Sequence, residues 1–241
     1  MMNSLLRKYW YLTVVAVLFF ASASLAQTTS VTLTGVGDGA TLGDVYVDPY
    51  TATVGGVANT SVICDDWSNN SYVNESWTAN VTNVAAVGSS GSPMFGNNSS
   101  LYNEVAWLGS QLLANPKNTT MQTEISFAIW DLTYGANNTY MDPTNPLTYL
   151  SANGTSSEYA QTLLLISEAE GEGTYNSSGW EILTPNSGDP TCSGSPCPSS
   201  PPQEFLVYTP ESSAVILFGA DMLGLLGLAI VFRRRLLRPV L

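Results

Sequence analysis

Ala214 to Phe232 is a run of nineteen mostly apolar residues that ends on Arg233, Arg234 and Arg235, with Arg238 just behind. As a helix rising about 1.5 Å per residue it would span roughly 28 Å, close to the hydrocarbon thickness of a bilayer. Only a structure that satisfies its own backbone can lie in hydrocarbon, so a run of this kind is read as a single helix. Arginines at one end mark that end as cytoplasmic. The expectation is a transmembrane helix over 214–232, in contact with membrane lipid, and a basic cytoplasmic tail over 233–241. Asp221 falls inside the run, where a carboxylate is costly unless protonated, reached by water or paired.

The N-terminus agrees with export. Arg7 and Lys8 precede an apolar segment from Trp10 to Phe20, and Ala21-Ser22-Ala23-Ser24-Leu25-Ala26 follows. That layout is a secretory signal over 1–26 with cleavage after Ala26; retention as an uncleaved anchor is the alternative. Of the seven basic residues, only Lys117 lies between the two hydrophobic segments, against eighteen of the nineteen carboxylates, a net charge of −17 for that section. Such a surface repels phosphate backbones, which excludes nucleic acid as a partner.

Just ahead of the C-terminal run stands Thr209-Pro210-Glu211-Ser212-Ser213. A short Pro-Glu motif, one span and an arginine cluster, in that order, resemble the PEP-CTERM sorting signal of bacterial surface proteins. The resemblance covers about Thr209 to Arg238. It implies an exosortase-type partner that recognises Pro210, Glu211 and Ser212, a membrane stop at Arg233, Arg234 and Arg235, and processing on the way to the envelope or exterior. The family motif is usually Pro-Glu-Pro, and Ser212 stands at its third position here. An ordinary C-terminal anchor without a sorting step is the competing reading.

The chain contains no histidine. Ser-His-Asp and Cys-His catalysis are therefore excluded, as are histidine-ligated zinc sites. No catalytic residue, metal or cofactor is expected. Periodicity predicts strands over Val31–Val36, Asp44–Val54, Ser61–Trp67 and Trp77–Val87, with a turn at Gly55-Gly56 and a loop over Gly88–Ser100. Helical spacing then appears at Leu101, Val105, Leu108 and Leu112, ending at Pro116. Further helices are predicted over Met121–Leu132, through Ile125, Ala128, Ile129 and Leu132, and over Ser157–Ala169, through Tyr159, Leu163 and Ile166. Strand character returns at Gly179–Leu183 and Glu204–Tyr208. The predicted fold is α+β, a mainly antiparallel domain over 27–185 with helices inserted in mid-chain. A Pro/Ser/Cys-rich segment over 186–203 and a final strand and motif over 204–213 lead to the membrane.

Cys192 and Cys197 are five residues apart, a candidate disulfide loop in an exported protein; a redox or metal pair is the alternative, though the spacing is not Cys-x-x-Cys. Cys64 is left over, in Val62-Ile63-Cys64-Asp65-Asp66-Trp67. With Tyr46-Val47-Asp48-Pro49-Tyr50 before it and Phe127-Ala128-Ile129-Trp130 after it, the stretch from about 44 to 134 resembles bacterial surface thioester domains. That resemblance implies an internal thioester between the cysteine and a Gln two residues before Ala-Ile-Trp, where this chain has Ser126. A hydroxyl supplies no acyl carbon. Gln122 lies one helical turn away, and Gln111 and Gln161 lie elsewhere. The implied reading is a fold of that kind without its reactive bond, with Cys64 a buried small residue.

Asp65 and Asp66, with Asn69 and Asn70, suggest either a solvated turn or an oxygen-ligand loop for calcium, matching no defined calcium motif. Glu168, Glu170 and Glu172 suggest a solvated face or a glycosidase-like carboxylate pair. Sequons begin at Asn59, Asn69, Asn74, Asn80, Asn98, Asn118, Asn153 and Asn176. Trp67, Trp77, Trp107, Trp130 and Trp180 suit core packing or stacking on sugar rings. The functional expectation is a non-catalytic, envelope-sorted surface or matrix protein. The alternatives are a covalent adhesin acting through Cys64 and a module that binds exopolysaccharide.

Overall fold

The structure, a computed structural model, describes residues 27–89, 91–136, 145–186, 191–192 and 201–209. The signal segment, the Pro210-Glu211-Ser212 motif, the 214–232 run and its arginines lie outside the described residues, as do Cys197 and the side chain of Cys192. Among the described residues no helix is long and apolar enough to cross a membrane.

The described residues form nine strands: β1 (Gln27–Gly35), β2 (Thr41–Leu42), β3 (Val45–Tyr46), β4 (Tyr50–Val54), β5 (Val57–Cys64), β6 (Glu75–Asn83), β7 (Trp180–Pro185), β8 (Thr191–Cys192) and β9 (Phe205–Tyr208). The pairing order β1-β4-β5-β9-β7-β6 returns to β1 through β1–β6 contacts, and every pairing is antiparallel. Six strands thus close into a barrel, with β8 added at the start of β6. Closure leaves those six strands without a free edge. The predicted turn between β4 and β5 is present: Gly55 and Gly56 have φ of +58° and +85°, as a tight two-residue hairpin requires. The predicted strand over Asp44–Val54 is two pieces, β3 and β4, broken where Pro49 removes a donor.

Among the described residues four α-helices lie between β6 and β7: α1 (Ser99–Ala114), α2 (Thr119–Ala136), α3 (Pro146–Asn153) and α4 (Ser156–Glu170). Each begins where a side chain takes up free backbone N–H groups. Asn98 accepts from Leu101 N at 3.3 Å, and Thr155 with Glu158 forms a capping box on α4. The α1 face is as predicted, with Leu101, Val105, Leu108 and Leu112 all buried. The α4 face is not. Leu163 is 42 % exposed, and Thr162, Leu165 and Ala169 are buried in its place.

Register decides what each strand faces, because side chains alternate across a sheet. Tyr50, Trp77 and Phe205 meet inside the barrel, with Tyr50–Phe205 and Trp77–Phe205 ring centroids 5.6 and 5.9 Å apart. Cys64 pairs with Phe205 and therefore shares that inner face. Ile63 pairs with Leu206 on the outer face, beneath the helices. There α1 approaches closely at Gly109, where a Cβ would stand 2.8 Å from the Trp180 ring and 3.2 Å from Ile63. Strands β5 and β9 are consequently buried on both faces at this end, and Phe205, Leu206 and Val207 are all buried.

Candidate functional site

The end of the barrel where β5 stops and β9 starts brings together the buried side chains of Asp65, Asp66, Asn69, Thr133, Gln203 and Glu204. Helix α2 arranges it. Ser126, Trp130 and Thr133 fall on one face at helical spacing and donate, in order, to Val47 O at 2.7 Å, Cys64 O at 3.0 Å and Asp65 O at 2.6 Å. These three hydrogen bonds tie Val47 and the exit of β5, at Cys64 and Asp65, to α2. Ser126 is thus a clamp on Val47.

Cys64 is a free thiol, 4 % exposed, and its Sγ–H donates to Asp66 O at 3.3 Å. The same carbonyl accepts from Gln203 Nε2 at 2.8 Å. The thiol and the carboxamide therefore converge on one oxygen, and the backbone N–H of Gln203 is held by Ser71 Oγ at 2.9 Å. Gln122 does not take this place. It lines a separate cavity of about 310 Å³ with Asp38 and Asp48.

The expectation of a solvated Asp65-Asp66 turn is overturned, because the two residues are 0 % and 1 % exposed. Local donors satisfy the Asp66 carboxylate. Asp66 accepts from Ser68 N at 2.9 Å and Asn69 Nδ2 at 2.7 Å. Burial raises its pKa, and those hydrogen bonds partly offset the rise. Neither carboxylate oxygen of Asp65 has a hydrogen-bond partner of good geometry. Burial, then the nearby charges of Glu204 and Asp66, push Asp65 well above the usual carboxylate range. Glu204 is fully buried and accepts from Tyr102 Oη at 2.6 Å and Met94 N at 2.8 Å, and it also bonds Thr184 Oγ1. Burial raises it to about 7 against the pull of those donors. Burial, with the Asp66 and Asp65 charges, also raises the Cys64 thiol, so it stays protonated at neutral pH.

Above this corner lies a cavity of about 390 Å³. Asp66 and Gln203 stand in its wall among Tyr46, Trp67, Tyr72 and Tyr149. Trp67 packs on Trp130 at 5.2 Å and on Tyr149 at 5.5 Å between ring centroids. A small group entering there reaches Gln203, with Cys64 directly beneath.

The other sequence candidates stay apart from this corner. Glu168 and Glu170 are exposed at the end of α4. Among the described residues, no group of three or more His, Cys, Asp or Glu side chains is placed to hold a metal ion. Trp77, Trp130 and Trp180 are buried core residues, while Trp67 and Trp107 are partly buried against the core. The Asn69 sequon is 7 % exposed and closed to a glycan in the folded state; those at Asn59, Asn74, Asn98, Asn118, Asn153 and Asn176 are exposed. Sequence reasoning missed Gln203. Its one signal was position: a lone glutamine immediately before the last strand, which pairs with the strand of the odd cysteine.

No protein-family model matches the chain, and a search of curated proteins finds no match. Two solved structures overlay most of it. One is the N-terminal thioester domain of the fibronectin-binding protein SfbI from Streptococcus pyogenes, at 10% identity and a TM-score of 0.39, covering 79% of this chain and 98% of that one. The other is the N-terminal domain of the Streptococcus pyogenes pilus tip adhesin Cpa, at 12% identity and a TM-score of 0.39, covering 78% and 97%. At that degree of overlay they say nothing of the chemistry, which rests on the geometry of the corner itself.

Proposed function

We propose that this chain is an exported, membrane-tethered surface protein whose barrel end joins Cys64 to Gln203 as an internal thioester for covalent attachment. One observation carries the reading: Cys64 Sγ and Gln203 Nε2 donate to the same carbonyl, Asp66 O, in a buried corner beneath an open cavity. A thiol beside a carboxamide is the reactant pair for acyl exchange. The Sγ–Cδ bond forms, the Cδ–Nε2 bond breaks, and the amide leaves as ammonia carrying the thiol proton. A nucleophile entering the cavity then attacks the same Cδ, takes the acyl group and returns Cys64 as a thiol. Each molecule reacts once, so this is capture rather than turnover. Depth favours it, because a thioester shielded from water survives until a fitting nucleophile arrives.

The setting for that chemistry is supported by the sequence: a signal over 1–26, a span over 214–232 and a Pro210-Glu211-Ser212 motif for an exosortase-type partner. Together they support a domain at the bacterial envelope or, after processing, beyond it. The targets are nucleophiles on a neighbouring surface or in a polysaccharide matrix. Intact mass of the full chain before and after methylamine tests the reading. The expected chain is lighter than its sequence by one ammonia, and methylamine adds once, at Gln203. Full sequence mass with no methylamine uptake refutes it and leaves the non-covalent surface protein.

A further inference from the structure

Three carboxyl groups stand in one dry corner: Asp65, Asp66 and Glu204 are at most 1 % exposed. Lys117, the one basic residue of the exported section, is exposed between α1 and α2. An apolar side chain in place of Glu204 would spare the protein the cost of burying a carboxyl beside two others. What Glu204 does instead is bind three elements at once. Tyr102 comes from α1, Met94 from the loop ahead of it and Thr184 from β7. Its backbone carbonyl also accepts from Asp65 N at 3.4 Å, directly beyond the Cys64–Phe205 pair.

We infer that Glu204 is the positioning residue for Gln203: its three-way anchorage on the outer face of the strand holds the neighbouring carboxamide, on the inner face, over Cys64. The inference rests on the thioester reading and names the group that makes the reaction geometry. Residues 203 and 204 point to opposite sides of one extended segment. Locking one side chain in a fixed network therefore locks the direction of the next. Among the described residues Gln203 reaches Asp66 O and, through its backbone, Ser71. Pairing of Phe205 with Cys64 and Leu183 fixes the register of β9, and the Glu204 side chain adds a lateral tie to α1, the loop before it and β7 next to Gln203. A buried carboxyl group with both oxygens bonded specifies one geometry, where apolar packing tolerates several.

Two readouts on the full chain test this. The first is the fraction of molecules lighter by one ammonia. Glu204→Leu keeps the volume and loses every acceptor, and its linked fraction should fall on the order of tenfold, the scale of a misplaced reacting group. Tyr102→Phe removes one anchor, leaves Glu204 in place and should give a smaller loss. The second is hydrogen exchange at the Gln203 side-chain amide in a Cys64→Ala background, where no thioester can form. It should be slow with Glu204 present and fast in Glu204→Leu. A folded Glu204→Leu chain with unchanged linked fraction and unchanged amide protection overturns the inference. If Glu204→Leu does not fold, Tyr102→Phe decides by the same two signals. An unlinked wild-type chain sinks the thioester reading alone, and the amide signal still decides whether Glu204 positions Gln203.

Discussion

The helical insert is fastened to the barrel at two places built on opposite principles. At Gly109, α1 lies against Trp180 and Ile63 in an apolar seam so close that a Cβ does not fit. Beside Glu204, the same helix is held through Tyr102 in a polar corner that also contains Asp65, Asp66 and Cys64. The seam removes apolar surface from water and stabilises by close packing. The corner buries carboxyl groups at a cost and returns fixed geometry. A protein that needed only a stable lid would repeat the seam at both places. The contrast assigns close packing to one region and fixed polar geometry to the other.

Trp180→Ala should show the largest effect on stability. The ring is 2 % exposed at the centre of the seam, and its removal should cost about 3–5 kcal/mol in denaturant unfolding. Gly109→Val attacks the same seam by overpacking and should cost about 1–3 kcal/mol, with no change in Cys64 chemistry in the chains that fold. On the polar side, Thr133→Val removes the hydroxyl that donates to Asp65 O and should cost about 1–2 kcal/mol. Unlike the seam variants, it should also disturb the Cys64 corner.

The pH dependence separates the two regions further. Folded Glu204 holds its proton up to about 7, whereas its unperturbed value is 4.5. The folded state therefore binds more protons than the unfolded state within that window, and stability falls as pH rises through it. Asp65 and Asp66 are shifted in the same direction and add to the slope. Thermal melts from pH 4.5 to 8 should show it, and Glu204→Gln should flatten it. Gly109→Val should leave the slope unchanged. The smallest effect is expected at Leu164, 56 % exposed on α4, where Leu164→Ser should shift stability by no more than about 0.5 kcal/mol.

The α1 face and the β4–β5 hairpin were legible in the sequence and the corner was not, for one physical reason. Leu101, Val105, Leu108 and Leu112 advertise a helix face through local spacing, and Gly55-Gly56 advertises a hairpin through local dihedral demand. The corner is made by register between distant segments. Gln203 meets Asp66 across 137 residues, and Glu204 meets Tyr102 across 102. No local pattern carries that, and Gln203 sits at the end of a Pro/Ser-rich stretch whose composition reads as linker. Asp65 and Asp66 look solvated in sequence because their cover comes from α2 and the start of β9. Helix α3 was a different kind of miss. Asn145 as cap and Pro146 in the first turn are local signals for it that the periodicity reading passed over.

The most direct measurement is a peptide map of the unreduced, denatured full chain, digested at a pH mild enough to spare an acyl bond. The account predicts one species in which the peptide containing Cys64 is joined to the peptide containing Gln203, absent in Cys64→Ala and in Gln203→Ala. Two separate peptides of full mass, with a free thiol at Cys64, would contradict it.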